Sequence, residues 1–205
     1  RGAAHISELV SRAYDEISSA IEDPRDMTGI PTGFKAWDSI TGGLQPGTVV
    51  KLVGDPGVGK SLLAAQILVA AAKAGHPGVL YELEMTGRQV IRRLLSAETG
   101  ISAPALRTGR VKDEEIPVFT QAIETLGSLP VYISDESDMT TAQLRVDLTR
   151  LVEQHGVEVA VIDYEALLTD EAANEIERRN LISNRVHAMA KSLGVAVLSI
   201  GDKTK

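Results

Sequence analysis

Apolar positions along this chain change their period several times, and each change marks an element. Ile6, Leu9, Val10, Ala13, Ile17, Ala20 and Ile21 recur at helical spacing with Ser, Arg, Asp and Glu between them. That pattern predicts an amphipathic helix over about residues 4–22. Glu22-Asp23-Pro24-Arg25-Asp26 ends it and reads as a linker. Two turn-rich stretches follow, Thr28-Gly29-Ile30-Pro31-Thr32-Gly33-Phe34 and Thr41-Gly42-Gly43-Leu44-Gln45-Pro46-Gly47, and Trp37 and Ile40 are expected to anchor the first. Val49, Val50, Leu52 and Val53 form a short apolar run suited to a buried strand. Leu62 to Lys73 is rich in Ala and Leu and free of Gly and Pro, which predicts a mostly buried helix.

Gly75-His76-Pro77-Gly78 then breaks the chain, and Val79 to Met85 reads as a second strand. Thr86 opens a helix with Gln89 placed for a capping box. Asp113 is expected to cap a further helix, with Glu114, Glu115 and Pro117 in its first turn. Val131 to Ser134 is a third strand. Thr140 or Thr141 starts a helix carrying Leu144, Leu148, Leu151 and Val152 on one face, and Gly156 stops it. Val157 to Ile162 is a fourth strand, Ile176 to Leu193 a long helix, and Val195 to Ile200 a fifth strand. Strands that alternate with helices and are apolar along their length predict an α/β fold: a mostly parallel sheet covered by helices on both faces.

Composition narrows the chemistry. The 205 residues support one large domain with its own core. Aromatics are only 3%, so that core must be built from Ala, Val, Ile and Leu. With no cysteine, disulfides, Cys-based zinc sites and thiol catalysis are excluded. No apolar run is suited to spanning a membrane and no signal peptide is visible, so the expected location is cytoplasmic. The first residue is Arg1 rather than Met, so the chain reads as a piece of a longer protein. A net charge of −7 argues against a broad basic patch for nucleic acid, though not against a few cationic loop residues. His5, His76, His155 and His187 are scattered and show no metal-ligand spacing, and Ser199 with Asp202 lacks any elbow motif of a hydrolase.

The chemistry is concentrated after the first strand. Gly54-Asp55-Pro56-Gly57-Val58-Gly59-Lys60-Ser61 matches G-x-x-x-x-G-K-[ST], the phosphate-binding loop, and it sits between a strand and a helix as the motif requires. Its glycines let backbone N–H groups close on a phosphate. The helix start adds free N–H groups and the positive end of its dipole. Lys60 supplies a point charge to the β- and γ-phosphates, and the Ser61 hydroxyl is a ligand for Mg²⁺. ATP and Mg²⁺ are the expected ligands.

Two carboxylates complete the expected site. Asp163 follows the apolar fourth strand, at the sheet edge that carries the phosphate loop, which is the position of a Walker B aspartate holding Mg²⁺ through its ligands. Its alternative role is to cap the next segment. Glu84 ends the predicted second strand at the same edge, where a carboxylate can orient and polarise water. Glu82 is its competitor, two residues back and on the same face of a strand. Glu84 lies nearer the carboxyl end and is preferred, leaving Glu82 as a partly exposed or ion-paired glutamate.

From about residue 28 onward the chain resembles the RecA-type motor domain of DnaB-like replicative helicases. The resemblance rests on Thr28 to Phe34, Gly43-Leu44-Gln45-Pro46-Gly47, the phosphate loop, Leu83-Glu84-Met85, Leu106-Arg107-Thr108-Gly109, Ile162-Asp163-Tyr164 and Ala188 to Val195. It implies a RecA-like ATPase domain over residues 28–205, preceded at 1–27 by a linker helix and linker. It also implies a ring, hexameric in this family, in which that helix docks on the adjacent subunit and which moves along single-stranded DNA and parts a duplex. Glu84 takes the place of the family's water-activating glutamate, Asp163 of its Walker B aspartate, and Lys60 and Ser61 of its phosphate and magnesium residues.

The departures are specific. Gly201 and Asp202 stand where the family commonly has Ser-Gln, whose Gln senses nucleotide state. Glu165-Ala166-Leu167 replaces Leu-Gln-Leu. Asp170 to Glu177 is acidic and would repel a DNA backbone in a ring channel, which leaves Arg178 and Arg179 as the nearest cations for nucleic acid. The family continues beyond this point with further strands, a DNA-contacting loop and an arginine finger, so this piece alone is expected to hydrolyse ATP weakly. Two other readings stay open at this point: a RadA- or KaiC-like RecA-fold ATPase that does not unwind, and a nucleotide-binding structural or loader subunit that does not turn over.

Overall fold

Five strands form one sheet in which every pairing is parallel: β1 (Val49–Gly54), β2 (Gly78–Glu82), β3 (Val131–Ser134), β4 (Val159–Asp163) and β5 (Ala196–Asp202), in the order β1-β5-β4-β2-β3. The computed structural model describes residues 3–22 and 27–202. The expected linker at 23–26 lies outside them, as does the side chain of Asp202.

The apolar runs of β2, β4 and β5 are explained by burial on both faces; β1, expected to be buried, is instead an edge strand, half-buried with Lys51 and Val53 exposed. On β4, Ala160 and Ile162 join one core with Val79, Tyr81 and the helices α7 (Thr141–His155) and α8 (Glu175–Leu193). Val159 and Val161 point the other way, into a core with Leu80 and the helices α3 (Lys60–Lys73) and α4 (Gly87–Thr99). A strand buried on one face only would alternate; these cannot. Among the described residues no helix is long and apolar enough to cross a membrane.

The strand order also positions the site. After β1 the chain crosses to β2 and β3, then returns to lay β4 and β5 between β2 and β1. The carboxyl ends of β1, β4 and β2 therefore frame the crevice where such sheets take ligands.

Several boundaries follow the sequence. Thr86 caps α4 with a capping box in which its N–H donates to Gln89 Oε1 at 2.9 Å. Thr140, not Thr141, caps α7 in the same way. Other expectations are corrected. Strand β2 ends at Glu82 rather than Met85. Asp113 to Glu115 is a single 3₁₀ turn, and the helix after it, α6 (Ile116–Gly127), starts without an Asp113 cap. The helices α2 (Lys35–Thr41) and α5 (Ala103–Thr108) are short ones that the apolar pattern does not announce.

Trp37 and Ile40 do not anchor the segment before β1, since they are 45% and 85% exposed. That segment is held by reciprocal backbone bonds between Ile30 and Leu44, both buried, at 2.8 and 2.7 Å. Asp38 helps by accepting from Thr32 N at 3.0 Å and Thr32 Oγ1 at 2.6 Å. The polar face of this helix turns inward because it satisfies backbone there.

The helix α1 (Ile6–Glu22) forms as its spacing requires, but Ile6, Leu9, Val10, Tyr14, Ile17 and Ile21 are all exposed. Its apolar face does not pack on its own domain.

Candidate active site

The phosphate loop turns sharply between β1 and α3. Gly57 and Gly59 have φ of 80° and 97°, in the left-handed region that a side chain disfavours. Gly59 then immediately precedes α3, so Lys60 and Ser61 occupy the first helical turn, whose N–H groups point out of the helix end toward the loop. Lys60 Nζ donates to the carbonyls of Gly54 at 2.8 Å and Asp55 at 3.1 Å, which keeps the ammonium over the loop.

A cavity of about 700 Å³ opens beside this loop. Pro56, Gly57, Gly59, Lys60 and Ser61 line one side, and Glu84, Arg93, Asp163 and Tyr164 line the other. The sheet thus brings together three sequence elements that are distant in the chain. Gly54, Asp55 and Val58 belong to the loop but do not line the cavity.

Asp163 is the last residue of β4 and is 4% exposed. Burial raises its pKa above the usual carboxylate range, and hydrogen bonds with the side chains of Ser61 and Glu82 work against that rise. A cation between Ser61 and Asp163 would offset the cost of that buried carboxylate, so this hydroxyl and carboxylate suit a hard ion such as Mg²⁺. Among the described residues no three His, Asp or Glu side chains gather as a metal site. Phosphate and water oxygens would therefore supply most ligands.

Glu84 sits in the bend after β2, exposed at the cavity wall. Glu82 is neither partly exposed nor held by a cation. It is 2% exposed, and its Oε1 accepts from the N–H groups of Glu84 at 3.2 Å and Met85 at 3.0 Å. Burial pushes its pKa to about 7, against the pull of those backbone bonds. The two glutamates do not share a strand face, because the strand ends between them.

Arg93, from α4, is the charged cavity residue that sequence reasoning missed; its charge acts on Asp163. The adjacent pair Arg92-Arg93 follows Leu83-Glu84-Met85 closely, but only the phase of the helix after the bend decides which arginine faces the cavity.

Arg178 and Arg179 lie away from this cavity, at the start of α8, and both bond Glu175. Arg178 Nη2 is 2.7 Å and Arg179 Nε 2.9 Å from its carboxylate. Hydrogen bonds from Arg179 and then Arg178 hold that carboxyl below its usual range. Arg178 Nη1 also donates to the Leu168 carbonyl at 3.1 Å. The acidic stretch is partly neutralised from within. Asp170 is buried, accepts from Thr141 N at 2.8 Å, and pairs with Arg185.

The Glu165 departure is compensated as well. Glu165 is buried and accepts from the Ser199 hydroxyl and from Lys51 Nζ at 3.2 Å, while Lys51 also reaches Ser183 Oγ at 2.9 Å. Asp202 pairs with Gly54 in the β1–β5 register.

A family model described as the DnaB-like helicase C terminal domain matches residues 29–202. A replicative DNA helicase DnaB of Leifsonia xyli subsp. xyli is 32% identical over 198 residues, covering 95% of this chain and 43% of that protein. This chain therefore spans less than half the length of that relative. A solved DnaB-like replicative helicase, described together with its interactions with primase, matches with a TM-score of 0.86 at 24% identity, over 100% of this chain and 49% of that one. A KaiC-like protein of Pyrococcus horikoshii OT3 matches with a TM-score of 0.62 at 22% identity, over 86% of this chain and 73% of that one. Both structures share its α/β fold.

Proposed function

The chain belongs to the DnaB-like helicase C terminal domain family, and from that premise we propose that it is the ATP-hydrolysing motor of a DNA helicase. The observation that carries this reading is the meeting of Lys60, Ser61, Glu84 and Asp163 around one cavity.

Lys60 and the loop N–H groups bind the β- and γ-phosphates. Glu84 accepts a proton from water as the water oxygen bonds the γ-phosphorus. The bond from that phosphorus to the β–γ bridging oxygen breaks, giving ADP and phosphate. Ser61 directly, and Asp163 through water, would hold Mg²⁺, which when bound would draw off charge from the phosphate oxygens. Arg93 adds positive charge on the Glu84 side of the cavity. Residues 1–27 form the linker unit and 28–205 the ATPase domain.

The working assembly is a cytoplasmic homo-oligomeric ring, a hexamer, with the apolar face of α1 docked on a neighbouring copy. Single-stranded DNA is the track. Arg178 and Arg179 contact it by exchanging Glu175 for phosphate.

Strand separation tests this reading. The full-length protein should part a forked DNA duplex with ATP and Mg²⁺, and its Glu84→Gln variant should bind ATP without parting it. A full-length protein that hydrolyses ATP but leaves the duplex intact would contradict the helicase assignment.

A further inference from the structure

Glu82 spends a buried carboxyl group on two backbone donors, and those donors belong to the turn that carries Glu84. We propose that Glu82 is a positioning residue for hydrolysis: its side chain fixes the Glu84–Met85 backbone, and so the Glu84 carboxylate, at the cavity wall. The inference rests on the reading of Glu84 as the water-activating residue.

Strand β2 ends at Glu82, but the chain must present Glu84 two residues later. The Leu83 N–H still finds a ladder partner, the carbonyl of Asp163, at 2.7 Å. The next two N–H groups leave the ladder, and both turn to Glu82 Oε1, at 3.2 and 3.0 Å. One carboxyl oxygen therefore closes the turn. A carboxyl group is costly to bury unless its oxygens are bonded, so this arrangement is not neutral packing. Glu82 does not line the cavity, whereas Glu84 and Asp163 do. It lies behind them, beside a small void lined by Ser61, Met85 and Arg93. It thus touches the backbone that orients Glu84 and, on its other side, the Asp163 side chain, but no reacting atom.

The effect should fall on the rate of chemistry rather than on nucleotide binding. A misplacement of about 1 Å costs up to about a hundredfold in rate. The test measures kcat, KM for ATP and equilibrium affinity for a fluorescent ATP analogue in the full-length protein. Glu82→Gln keeps the accepting oxygen and should hold kcat within about threefold. Glu82→Ala removes it and should lower kcat about ten- to a hundredfold, with KM and affinity within about twofold. Glu82→Asp withdraws the oxygen by one methylene while keeping the carboxyl, and should repeat the loss if the alanine variant fails to fold. Glu84→Gln is measured in parallel. Loss of hydrolysis in Glu84→Gln with unchanged kcat in Glu82→Ala or Glu82→Asp would overturn this inference alone. Equal loss of kcat and affinity, not rescued by Glu82→Gln, would also overturn it in favour of a general structural role. Undiminished hydrolysis in Glu84→Gln would overturn the Glu84 reading and this inference with it.

Discussion

Glu82 and Asp163 face one another in the parallel β2–β4 register, both buried, yet only Asp163 reaches the wall of the cavity beside the phosphate loop. Adjacent strand ends thus carry two carboxyl groups with different work. Glu82 closes the turn backbone and bonds the Asp163 side chain, and Asp163 is presented to Ser61 and to any cation that joins them. Replacing Asp163 by Asn keeps the shape and removes the charge. Hydrolysis should fall by at least about a hundredfold, the scale of losing one preorganised electrostatic contact in a site. Nucleotide binding should persist but lose its dependence on Mg²⁺. A titration of ATP affinity against Mg²⁺ checks this, and an unchanged Mg²⁺ response would remove Asp163 from the metal site.

Lys60 is the cation held over the loop by the Gly54 and Asp55 carbonyls. Lys60→Ala should remove measurable nucleotide affinity while leaving the fold intact, because the lysine contributes no apolar contact to either core. Equilibrium binding of a labelled ATP analogue and a thermal melt together check both halves. Unchanged binding would refute the phosphate assignment.

Parts of this site are legible in sequence for a physical reason. Asp163 ends β4, a strand buried on both faces that announces itself as a continuous apolar run, whereas the phosphate loop is read from its own motif, because β1 before it is a half-buried edge strand with Lys51 and Val53 exposed. The end of β2 is not legible. Leu83 and Met85 extend an apolar alternation, but the Glu82 side chain captures the N–H groups that the next ladder bonds would need. Helix Lys35–Thr41 is hidden because Trp37 and Ile40 look like anchors, whereas Asp38 is the residue that bonds inward. Helix Ala103–Thr108 is too short to show a period. Arg93 is hidden by its neighbour Arg92. Lys51 reaches Glu165, and Thr141 reaches Asp170, from 114 and 29 residues away in sequence, which no local pattern reveals.

Asp170 carries a pH dependence with a definite sign. Burial alone would raise its pKa, but hydrogen bonds from Thr141 and Arg185 outweigh it and leave the group below its ordinary value of 3.8. The folded state therefore binds this proton less readily than the unfolded chain. Its contribution is fully present above the unfolded value and is lost as pH falls through the lower folded value. Asp170→Ala should destabilise the domain by about 1–3 kcal/mol at neutral pH, since it strands the Thr141 N–H. The variant should also lose less stability than the parent when melts are compared between about pH 5 and about pH 3, the span around and below the unfolded value. Parallel loss in both proteins would contradict the assignment.

The exposed face of α1 should matter for assembly and not for folding. Ile17 is 60% exposed and Val10 likewise 60%, so charging them removes no intradomain contact. In the full-length protein, Val10→Asp with Ile17→Asp should leave the melting temperature within about 1 °C, as surface changes usually do, and shift the oligomer toward smaller species. Light scattering after size exclusion checks this. An unchanged ring would show that α1 is not the docking element.

ATP turnover by the full-length protein, with and without single-stranded DNA, decides whether its hydrolysis is coupled to DNA. Turnover should rise clearly with DNA, and that rise should disappear in Glu84→Gln. A rate indifferent to DNA would contradict that coupling and point to an ATPase that does not unwind.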